Sequence, residues 1–165
     1  MNETKKLRVA LFFGGVSSEH EVSCVSASTW LRALAQAPCA DRYEVFPVGI
    51  TKQGRWLACS PTPEAMADGS WEKGADCTPC VLSPDRTDHG IWLLKDGKAE
   101  LVHIDICAPV MHGKNGEDGT IQGLFELARI PYVGCGVLGS AVCMDKAVAN
   151  TIMDAAGVPH CKWAS

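Results

Sequence analysis

The segment HGKNGEDGTIQGLFELARIPY, from His112 to Tyr132, contains a glycine-rich loop and the helix that follows it. The apolar run before it, from Ile106 to Met111, predicts a buried strand. After the loop, apolar residues recur at intervals of three and four, as on one face of a helix: Ile121, Leu124, Phe125 and Ala128. Four ionisable residues are crowded into the loop itself: His112, Lys114, Glu117 and Asp118. This order predicts a ligand-binding turn between a strand and a helix, and a solvated connection is the alternative.

The composition indicates one globular domain with room for a small appendage. The chain has 165 residues, of which 47% are hydrophobic, and this is enough to fill a core. Its formal net charge of −4 is spread without long runs of like charge, so it offers no footprint for nucleic acid or an anionic membrane surface. No stretch approaches membrane-spanning length, and the start of the chain lacks the apolar core of a signal peptide. We therefore expect a cytoplasmic protein without nucleic-acid or membrane partners.

The nine cysteines are an odd number and are mostly scattered singly, which suits reduced thiols better than a disulfide framework. Cys77 and Cys80 form the only CxxC pair in the sequence. This pair has neither the second pair of a zinc site nor the strand-to-helix setting of a redox motif. The sequence therefore favours no metal or redox role for it and leaves its purpose open.

The first strand, turn and helix carry a candidate binding residue. Leu7 to Phe13 is nearly continuously apolar, as in a parallel strand buried on both faces, and Gly14 ends the run. Ser18 is the predicted N-cap of the next helix, and Glu21 can complete a capping box. Glu19 lies in the first turn, where amide dipoles stabilise an ionised carboxylate beside the carboxyl end of the strand. Such a glutamate is either a ligand contact or, more commonly, a partner of the helix dipole.

The order of the elements predicts an α/β fold with a mainly parallel sheet flanked by helices and with β-hairpins inserted at one edge. Residues 58–90 show little pattern apart from a short helix at Pro63 to Ala67. Pro109 is expected to mark the end of its strand, because proline cannot donate a hydrogen bond to a ladder. The other predicted elements are strands at 43–50, 104–111 and 130–133, and hairpins around Gly54 and around Asp96-Gly97.

A second glycine motif, GCGVLG from Gly134 to Gly139, has the literal GxGxxG pattern of dinucleotide-binding turns. The acidic residue expected after it should end the next strand, whereas Asp154 lies inside a helical pattern that stops at Gly157. A dinucleotide site is therefore not the favoured interpretation. Lys146, at the start of the same helix, opposes the helix dipole. Such a cation either invites an anionic partner or simply points into water.

Three separated stretches resemble one known family when they are read together. They are VALFFGGVSSEHEVSCVSAS from Val9 to Ser28, the segment from His112 to Lys146, and AAGVP from Ala155 to Pro159. The chain resembles the N-terminal part of the D-alanine:D-alanine ligases of the ATP-grasp superfamily, which include the D-alanine:D-serine ligases of vancomycin resistance. The resemblance implies a Rossmann-like pre-ATP-grasp domain. For the full-length enzyme it implies that ATP and Mg2+ are used to convert one D-alanine to an acyl phosphate. The amine of a second D-amino acid then attacks this intermediate and forms the dipeptide used in peptidoglycan.

The resemblance also implies roles for individual residues. Glu19 matches the glutamate that holds the ammonium group of the first D-alanine, and Val22 lies beside the methyl group of that substrate. His112 matches the histidine near the same substrate. Lys146 matches the lysine that contacts an ATP phosphate. Two further residues match loop-building positions rather than catalytic ones: Glu117 and Asp118.

The resemblance divides the chain into a substrate-binding domain, residues 1–141, and the start of the central ATP-grasp domain, residues 142–165. Family members continue for roughly as long again, and that part supplies the magnesium-binding carboxylates. We therefore expect this chain alone to be inactive, because phosphoryl transfer depends on charge neutralisation by the metal. Residues beyond position 165 select D-alanine, D-serine or D-lactate as the second substrate. Dimerisation through this domain is common in the family, so a homodimer is one expected state.

Two interpretations from other classes stay open. One is a stand-alone Rossmann-like binding module without catalysis, and the other is a dinucleotide-dependent enzyme built on the segment from Gly134 to Gly139. The ligase interpretation makes the sharper structural prediction. It requires Glu19 and the loop of His112 to face one shared cleft.

Overall fold

The apolar run of the first strand lies inside a seven-stranded sheet with helices packed against it. The structure is a computed structural model and describes residues 5–164. The strands are β1 (Leu7–Gly14), β2 (Tyr43–Ile50), β3 (Trp56–Ala58), β4 (Thr78–Leu82), β5 (Gly90–Lys95), β6 (Lys98–His103) and β7 (Ile106–Pro109). The helices are α1 (His20–Leu34), α2 (Cys39–Arg42), α3 (Pro63–Ala67), α4 (Thr120–Ala128), α5 (Val137–Met144) and α6 (Lys146–Ala155), with a 3-10 helix at Ser70–Lys73.

The sheet has two differently built halves. In the parallel half, β1 pairs in parallel with β2 on one side and with β7 on the other. In the antiparallel half, β3 to β6 extend the sheet from β2 through antiparallel pairs, which gives the order β6-β5-β4-β3-β2-β1-β7. The predicted α/β fold with flanking helices and inserted hairpins is confirmed. The sheet as a whole is mixed rather than mainly parallel, because the hairpins join the same sheet.

Alternate residues of β1 face two separate apolar clusters. Phe12 lies on one face, where its ring centroid is 5.2 Å from that of Phe125 in α4. Phe13 lies on the other face, 4.8 Å from the ring of Trp71 in the 3-10 helix. Both phenylalanines are fully buried, since structure covers the sheet on both sides at this strand. This burial explains why the first strand is apolar throughout instead of alternating with polar residues.

Residues 58–90 contain one strand that the sequence analysis missed. β4 lies in the middle of the antiparallel half, where it pairs with β3 and β5. The sequence does not indicate this strand, because Pro79 lies inside it and because it is stabilised by pairing with neighbouring strands rather than by a local pattern. The predicted helix Pro63–Ala67 is confirmed, and the hydroxyl of Thr62 caps it.

Both predicted hairpins are confirmed. The first reverses between β2 and β3, where Gly54 has a φ of 82°. The second reverses between β5 and β6 at Asp96 and Gly97, whose φ angles are 51° and 73°. Two consecutive residues in the left-handed region are typical of the tight turn that matches the twist of a hairpin.

The chain around and after β7 departs from the prediction at two points. β7 is shorter than the predicted strand 104–111, although it ends at Pro109 as expected and α4 follows the glycine-rich loop. The predicted strand 130–133 is wrong, because only Tyr132 forms a bridge, with Cys107. The ladder stops there since the chain turns at Gly134, whose φ is 120°.

The last two helices of the described chain bury very few of their residues. Of all the residues in α5 and α6, only Ser140 is buried. The predicted domain boundary between residues 141 and 142 lies inside α5 and stays a prediction. Within residues 5–164, no helix combines the length and the apolar character needed to cross a membrane.

Candidate functional site

The loops after β1 and β7 meet at one edge of the sheet. Since these strands are parallel neighbours, their carboxyl ends lie side by side, which is where open α/β sheets bind ligands. Ser23 of α1 joins the two strand ends, because its hydroxyl accepts a hydrogen bond from the Gly14 amide and donates one to the Val110 carbonyl. The helix therefore fixes the start of both loops.

Glu19 is the N-cap residue of α1, and its side chain is exposed. Its amide donates a hydrogen bond to the hydroxyl of Ser17 at 3.1 Å. The predicted capping box is wrong, because the helix begins one residue after Glu19 and neither Ser18 nor Glu21 caps it. Glu21 instead forms an ion pair with Lys52 in the β2–β3 turn. That contact joins segments far apart in sequence, so no local pattern indicates it.

The carboxylate of Glu19 lies directly against the loop that contains His112. A Cβ atom on Gly113 would lie 2.6 Å from Glu19 Oε2 and 2.6 Å from Ser17 Oγ. Gly113 also has a φ of 66°, in the region that favours glycine. Glycine is favoured at this position, because a side chain would have to displace the Glu19 carboxylate and the Ser17 hydroxyl. Glu19 and the loop of His112 are therefore neighbours on one side of the molecule. That they face one shared cleft stays a prediction.

His112 is half-buried and is held from two directions. Its Nε2 lies 3.1 Å from Oγ of Ser26 on α1, and its Nδ1 lies 3.6 Å from a carboxylate oxygen of Glu117. Glu117 also accepts a hydrogen bond of 2.8 Å from the Gly113 amide. The imidazole ring is thus oriented by the protein itself. The sequence analysis missed Ser26, although its position two helical turns after Glu19 is a signal that could have identified it.

Val22 lies on the same side of α1, three residues after Glu19 and four before Ser26. It is 53% exposed, although it is apolar. An exposed valine next to an exposed carboxylate offers apolar contact to a small ligand with a positive group. We call Glu19, Val22 and His112 the acid–histidine site.

Asp118 builds the loop of the acid–histidine site together with Glu117. It accepts hydrogen bonds from the backbone amides of Asn115 at 2.9 Å and Thr120 at 3.1 Å. Partial burial acts to raise the pKa of Asp118, but these hydrogen bonds outweigh burial and hold the pKa below its ordinary value. The loop therefore keeps its shape around an ionised carboxylate, which agrees with the loop-building role implied for both residues.

A cleft of about 550 Å³ opens beside the acid–histidine site. Its walls include His112 and Glu117 from the loop, Trp30 from α1 and Met144 from α5. Gln122 of α4 also lines the cleft and is only 6% exposed, and its Nε2 donates a 2.9 Å hydrogen bond to a loop carbonyl. The sequence analysis missed Gln122. A polar residue on the buried face of an amphipathic helix was the available signal.

Lys146 is exposed in the first turn of α6. Asp145 caps this helix, and its carboxylate accepts hydrogen bonds of 3.0 Å from the amides of Ala147 and Val148. Within the described residues, no hydrogen bond or ion pair joins Lys146 to the acid–histidine site. Three of the four predicted site residues therefore lie on one side of the molecule, and the role of Lys146 stays a prediction.

The described part of the chain offers no ready-made metal centre. Within residues 5–164, no group of three or more histidine, cysteine, aspartate or glutamate side chains could hold a metal ion. The segment from Gly134 to Gly139 also lacks the strand that a dinucleotide-binding turn follows, because only a single bridge at Tyr132 precedes it.

Comparison with known proteins decides the family. The family model described as "D-ala D-ala ligase N-terminus" matches residues 8–135. This chain belongs to that family. The range matched by the D-alanine ligase N-terminus includes Glu19, Val22 and His112, whereas Lys146 lies after it.

Relatives of this D-alanine ligase N-terminus are considerably longer proteins. The D-alanine--D-alanine ligase of Caldicellulosiruptor bescii is 49% identical over 155 residues, which cover 94% of this chain and 41% of that protein. A putative D-alanine--D-lactate ligase of Streptomyces coelicolor is 46% identical over 153 residues, covering 93% of this chain and 41% of that protein. The crystal structure of the VanG D-Ala:D-Ser ligase from Enterococcus faecalis matches with a TM-score of 0.84 and 38% identity, covering 93% of this chain and 43% of that one. This chain therefore spans about two-fifths of the length of these relatives.

Proposed function

We propose that this chain is the D-alanine-binding N-terminal part of an ATP-dependent D-alanine:D-alanine ligase. The whole enzyme converts one D-alanine to an acyl phosphate and joins it to the amine of a second D-alanine, giving the dipeptide used in peptidoglycan. One observation carries the proposal: the exposed carboxylate of Glu19 lies against the backbone of the His112 loop. The family match over residues 8–135 supports it, because both residues lie in that range.

Glu19 binds the ammonium group of the first D-alanine in this proposal. An ammonium group carries three hydrogen-bond donors, and a carboxylate is the side chain that pairs with it most strongly. Glu19 is the N-cap residue of α1, and its side chain makes no capping hydrogen bond to the first turn. The carboxylate is also exposed, so a small amino acid reaches it without displacing a buried partner.

Val22 and His112 complete the contacts to the same substrate. The exposed side chain of Val22 lies beside Glu19 on α1 and packs against the methyl group of D-alanine. His112 is oriented by Ser26 and Glu117, so its ring needs little reorganisation when the amino acid binds. An acid, an apolar contact and a fixed imidazole together select a small amino acid over a larger or uncharged one.

The ATP-dependent half of the reaction depends on residues that are mostly absent from this chain. Lys146 contacts a phosphate of ATP, which accounts for a cation in the first turn of a helix that Asp145 already caps. Magnesium neutralises charge on the transferring phosphate when it is bound. None of the residues 5–164 is assigned to hold it. Residues 142–165 are the start of the central ATP-grasp domain in this proposal, and residues 1–141 form the substrate-binding domain. We also propose a cytoplasmic enzyme that forms homodimers through this domain.

The test is ADP release from ATP by the complete product of the gene that encodes this chain. We expect release that requires D-alanine and a D-alanyl-D-alanine product. Glu19→Gln should lower kcat/KM for D-alanine by roughly 10- to 100-fold, because it removes a charge-assisted contact to the ammonium group. Glu21→Gln is the matched control, since Glu21 is an exposed glutamate of the same helix turn that pairs with Lys52 instead, and it should behave like wild type.

Absence of D-alanine-dependent ADP release would overturn the proposal, and so would a Glu19→Gln variant as active as wild type. Binding of D-alanine without ADP release, lost in Glu19→Gln, would support a stand-alone binding module. Binding of NAD but not ATP would support the dinucleotide-dependent interpretation.

A second candidate is a ligase of the same family that uses D-serine or D-lactate as its second substrate. Two similarities support this candidate. The chain matches the VanG D-Ala:D-Ser ligase with a TM-score of 0.84, and it is 46% identical to a putative D-alanine--D-lactate ligase. The same assay discriminates between the candidates when D-alanine, D-serine and D-lactate compete and the products are separated by mass. A depsipeptide or a mixed dipeptide as the main product would replace D-alanyl-D-alanine in the proposal.

A further inference from the structure

We propose that Cys59 and Cys77 form a reversible disulfide site that ties the end of β3 to the start of β4. The proposal concerns the antiparallel half of the sheet and is independent of the ligase assignment. It also differs from the pair that the sequence pattern offers, which is Cys77 with Cys80.

The strand register sets the two cysteines opposite each other. Ala58, the last residue of β3, pairs with Thr78, the first residue of β4, so the next opposed pair is Cys59 and Cys77. The amide of Cys59 donates a hydrogen bond of 3.2 Å to the carbonyl of Pro47 on β2, and it therefore points away from β4. Extended by one residue, this register would make Cys59 and Cys77 a non-hydrogen-bonded pair, a class in which Cα atoms lie about 4.5 Å apart. Disulfides span Cα separations of about 4.4–6.8 Å, so the bond can form without a shift of the strands.

Both thiols belong to the same face of the sheet. Cys59 is part of the buried cluster around Phe13, and Cys77 packs against that cluster. Cys80 belongs to the cluster around Phe12 on the opposite face. The sheet itself therefore separates the two cysteines of the CxxC pattern, while it brings together two cysteines that are distant in sequence.

The protonation of the thiols sets the order of reaction. Burial raises the pKa of the Cys59 thiol to about 12. Partial burial and the nearby Asp76 carboxylate raise the pKa of Cys77. Cys77 is the less buried of the two, so it reacts first with an oxidant in solution. The reaction should be slow near neutral pH and accelerate as the pH rises.

Oxidised glutathione is a suitable oxidant. The thiolate of Cys77 attacks one sulfur of glutathione disulfide, its S–S bond breaks, and one glutathione thiolate leaves and takes up a proton. The thiolate of Cys59 then attacks the Cys77 sulfur of the mixed disulfide and releases the second glutathione, which is also protonated. Two protein thiols are thereby oxidised and one glutathione disulfide is reduced to two thiols. Excess reduced glutathione reverses both steps.

The disulfide would join the two ends of residues 59–77, a segment that packs against β1. Trp71 lies in this segment, packs on Phe13, and occupies the space where a Cβ atom on Gly49 would lie 2.2 Å from its ring. The Cys77 thiol donates a hydrogen bond of 3.1 Å to the Trp71 carbonyl. A crosslink between Cys59 and Cys77 therefore restricts the segment in the unfolded chain and should stabilise the folded one.

Tryptic mapping of the unmodified protein tests the proposal directly. Trypsin releases residues 56–73, which contain Cys59 alone, and residues 74–86, which contain Cys77 and Cys80. After equilibration with glutathione disulfide and alkylation of the remaining thiols, we expect these two peptides to be joined and to separate on reduction. The joined species should persist in Cys80→Ser and disappear in Cys77→Ser.

A disulfide within residues 74–86, stable mixed disulfides on both peptides, or unreacted thiols would each overturn the proposal. The unfolding midpoint in urea supplies the second measurement. It should rise on oxidation of the wild type and of Cys80→Ser, and it should return on reduction. A rise of the same size in Cys77→Ser would assign the stabilisation to other cysteines and count against this site.

Discussion

The parallel and antiparallel halves of the sheet are both continuous ladders, yet only the parallel half carries the acid–histidine site. β1 lies between two parallel neighbours, and its residues from Val9 to Gly14 are buried. β6 lies at the other edge of the sheet, where all of its residues are at least partly exposed. The central strand of the parallel half is therefore more buried than the edge strand of the antiparallel half.

The difference shows how connectivity determines where a site forms. Parallel neighbours need long return connections, so the chain leaves β1 and β7 at the same edge with loops free to meet. Hairpin strands are connected by tight turns, such as the one at Asp96 and Gly97, which leave no long loop to form a site. The substitutions below compare the two halves with matched residues.

The largest expected effect on stability comes from the difference in burial between Leu11 and Leu94. Leu11→Ala in β1 should lower the free energy of unfolding by about 2–5 kcal/mol, because Leu11 is fully buried and leaves a cavity. Leu94→Ala in β5 should cost about 1 kcal/mol, since Leu94 is 47% exposed and loses less apolar contact. Urea unfolding monitored by circular dichroism measures both. Equal losses would show that the difference in burial between these two positions does not decide their contribution to stability.

The second comparison concerns two turn glycines with similar backbone angles. Gly14 and Gly97 have φ angles of 82° and 73°, so alanine strains either position by about 1–2 kcal/mol. At Gly14 a Cβ atom would also lie 2.3 Å from the Ile50 carbonyl oxygen, whereas at Gly97 it would meet nothing within 4 Å. We expect Gly14→Ala to be clearly the more destabilising of the two in thermal unfolding. The reverse order would show that the space around the first turn adapts freely.

The third comparison concerns a buried and an exposed serine. Ser23→Ala should lower the free energy of unfolding by about 1–3 kcal/mol, because it leaves the Gly14 amide and the Val110 carbonyl without their partner. Ser60→Ala, an exposed position just after β3, should stay within about 0.5 kcal/mol of wild type. Denaturant midpoints separate these outcomes. A neutral Ser23→Ala would mean that the two strand ends hold together without α1.

The smallest effect is a difference in acid sensitivity between two loops. The folded pKa of Asp118 is lowered, so its contribution to stability is present above the unfolded value of about 3.9 and is lost as the pH falls through the folded value. As this happens, the amides of Asn115 and Thr120 should exchange faster with solvent. Asp85 in the antiparallel half also has a lowered pKa, through hydrogen bonds from the Thr87 amide and hydroxyl.

Amide exchange measured by NMR across this pH range compares the two loops. We expect acid to release the protection near Asp118 together with a change in the His112 resonances, because they share one loop. Acid titration of Asp85 should leave the His112 resonances unchanged. Coupled changes at both aspartates would argue that the halves do not behave independently.

Local patterns identified most of the elements, and the resemblance to the ligase family implied three site residues that lie together. The apolar run Leu7 to Phe13, the helical spacing after His112 and the Asp96-Gly97 turn each specify their structure within a few residues. Glu19, Val22 and His112 were chosen from sequence, and the fold brings them to one side of the molecule. Patterns failed where a contact from elsewhere decided the outcome. Glu21 forms an ion pair with Lys52 instead of the predicted capping box. Pro79 lies in β4, a strand that forms because it pairs with neighbouring strands.

The sequence by itself determined the α/β class and the hairpins, because short-range spacing and backbone preference act within a few residues, and its long motifs implied the residues of the acid–histidine site through the family resemblance. Only the tertiary structure decided that Ser26 holds His112, that Gly113 lies against Glu19, and that Cys59 rather than Cys80 faces Cys77. Each of these contacts joins residues far apart in the chain. Their distances depend on strand order and register, which only the packing of the whole sheet sets.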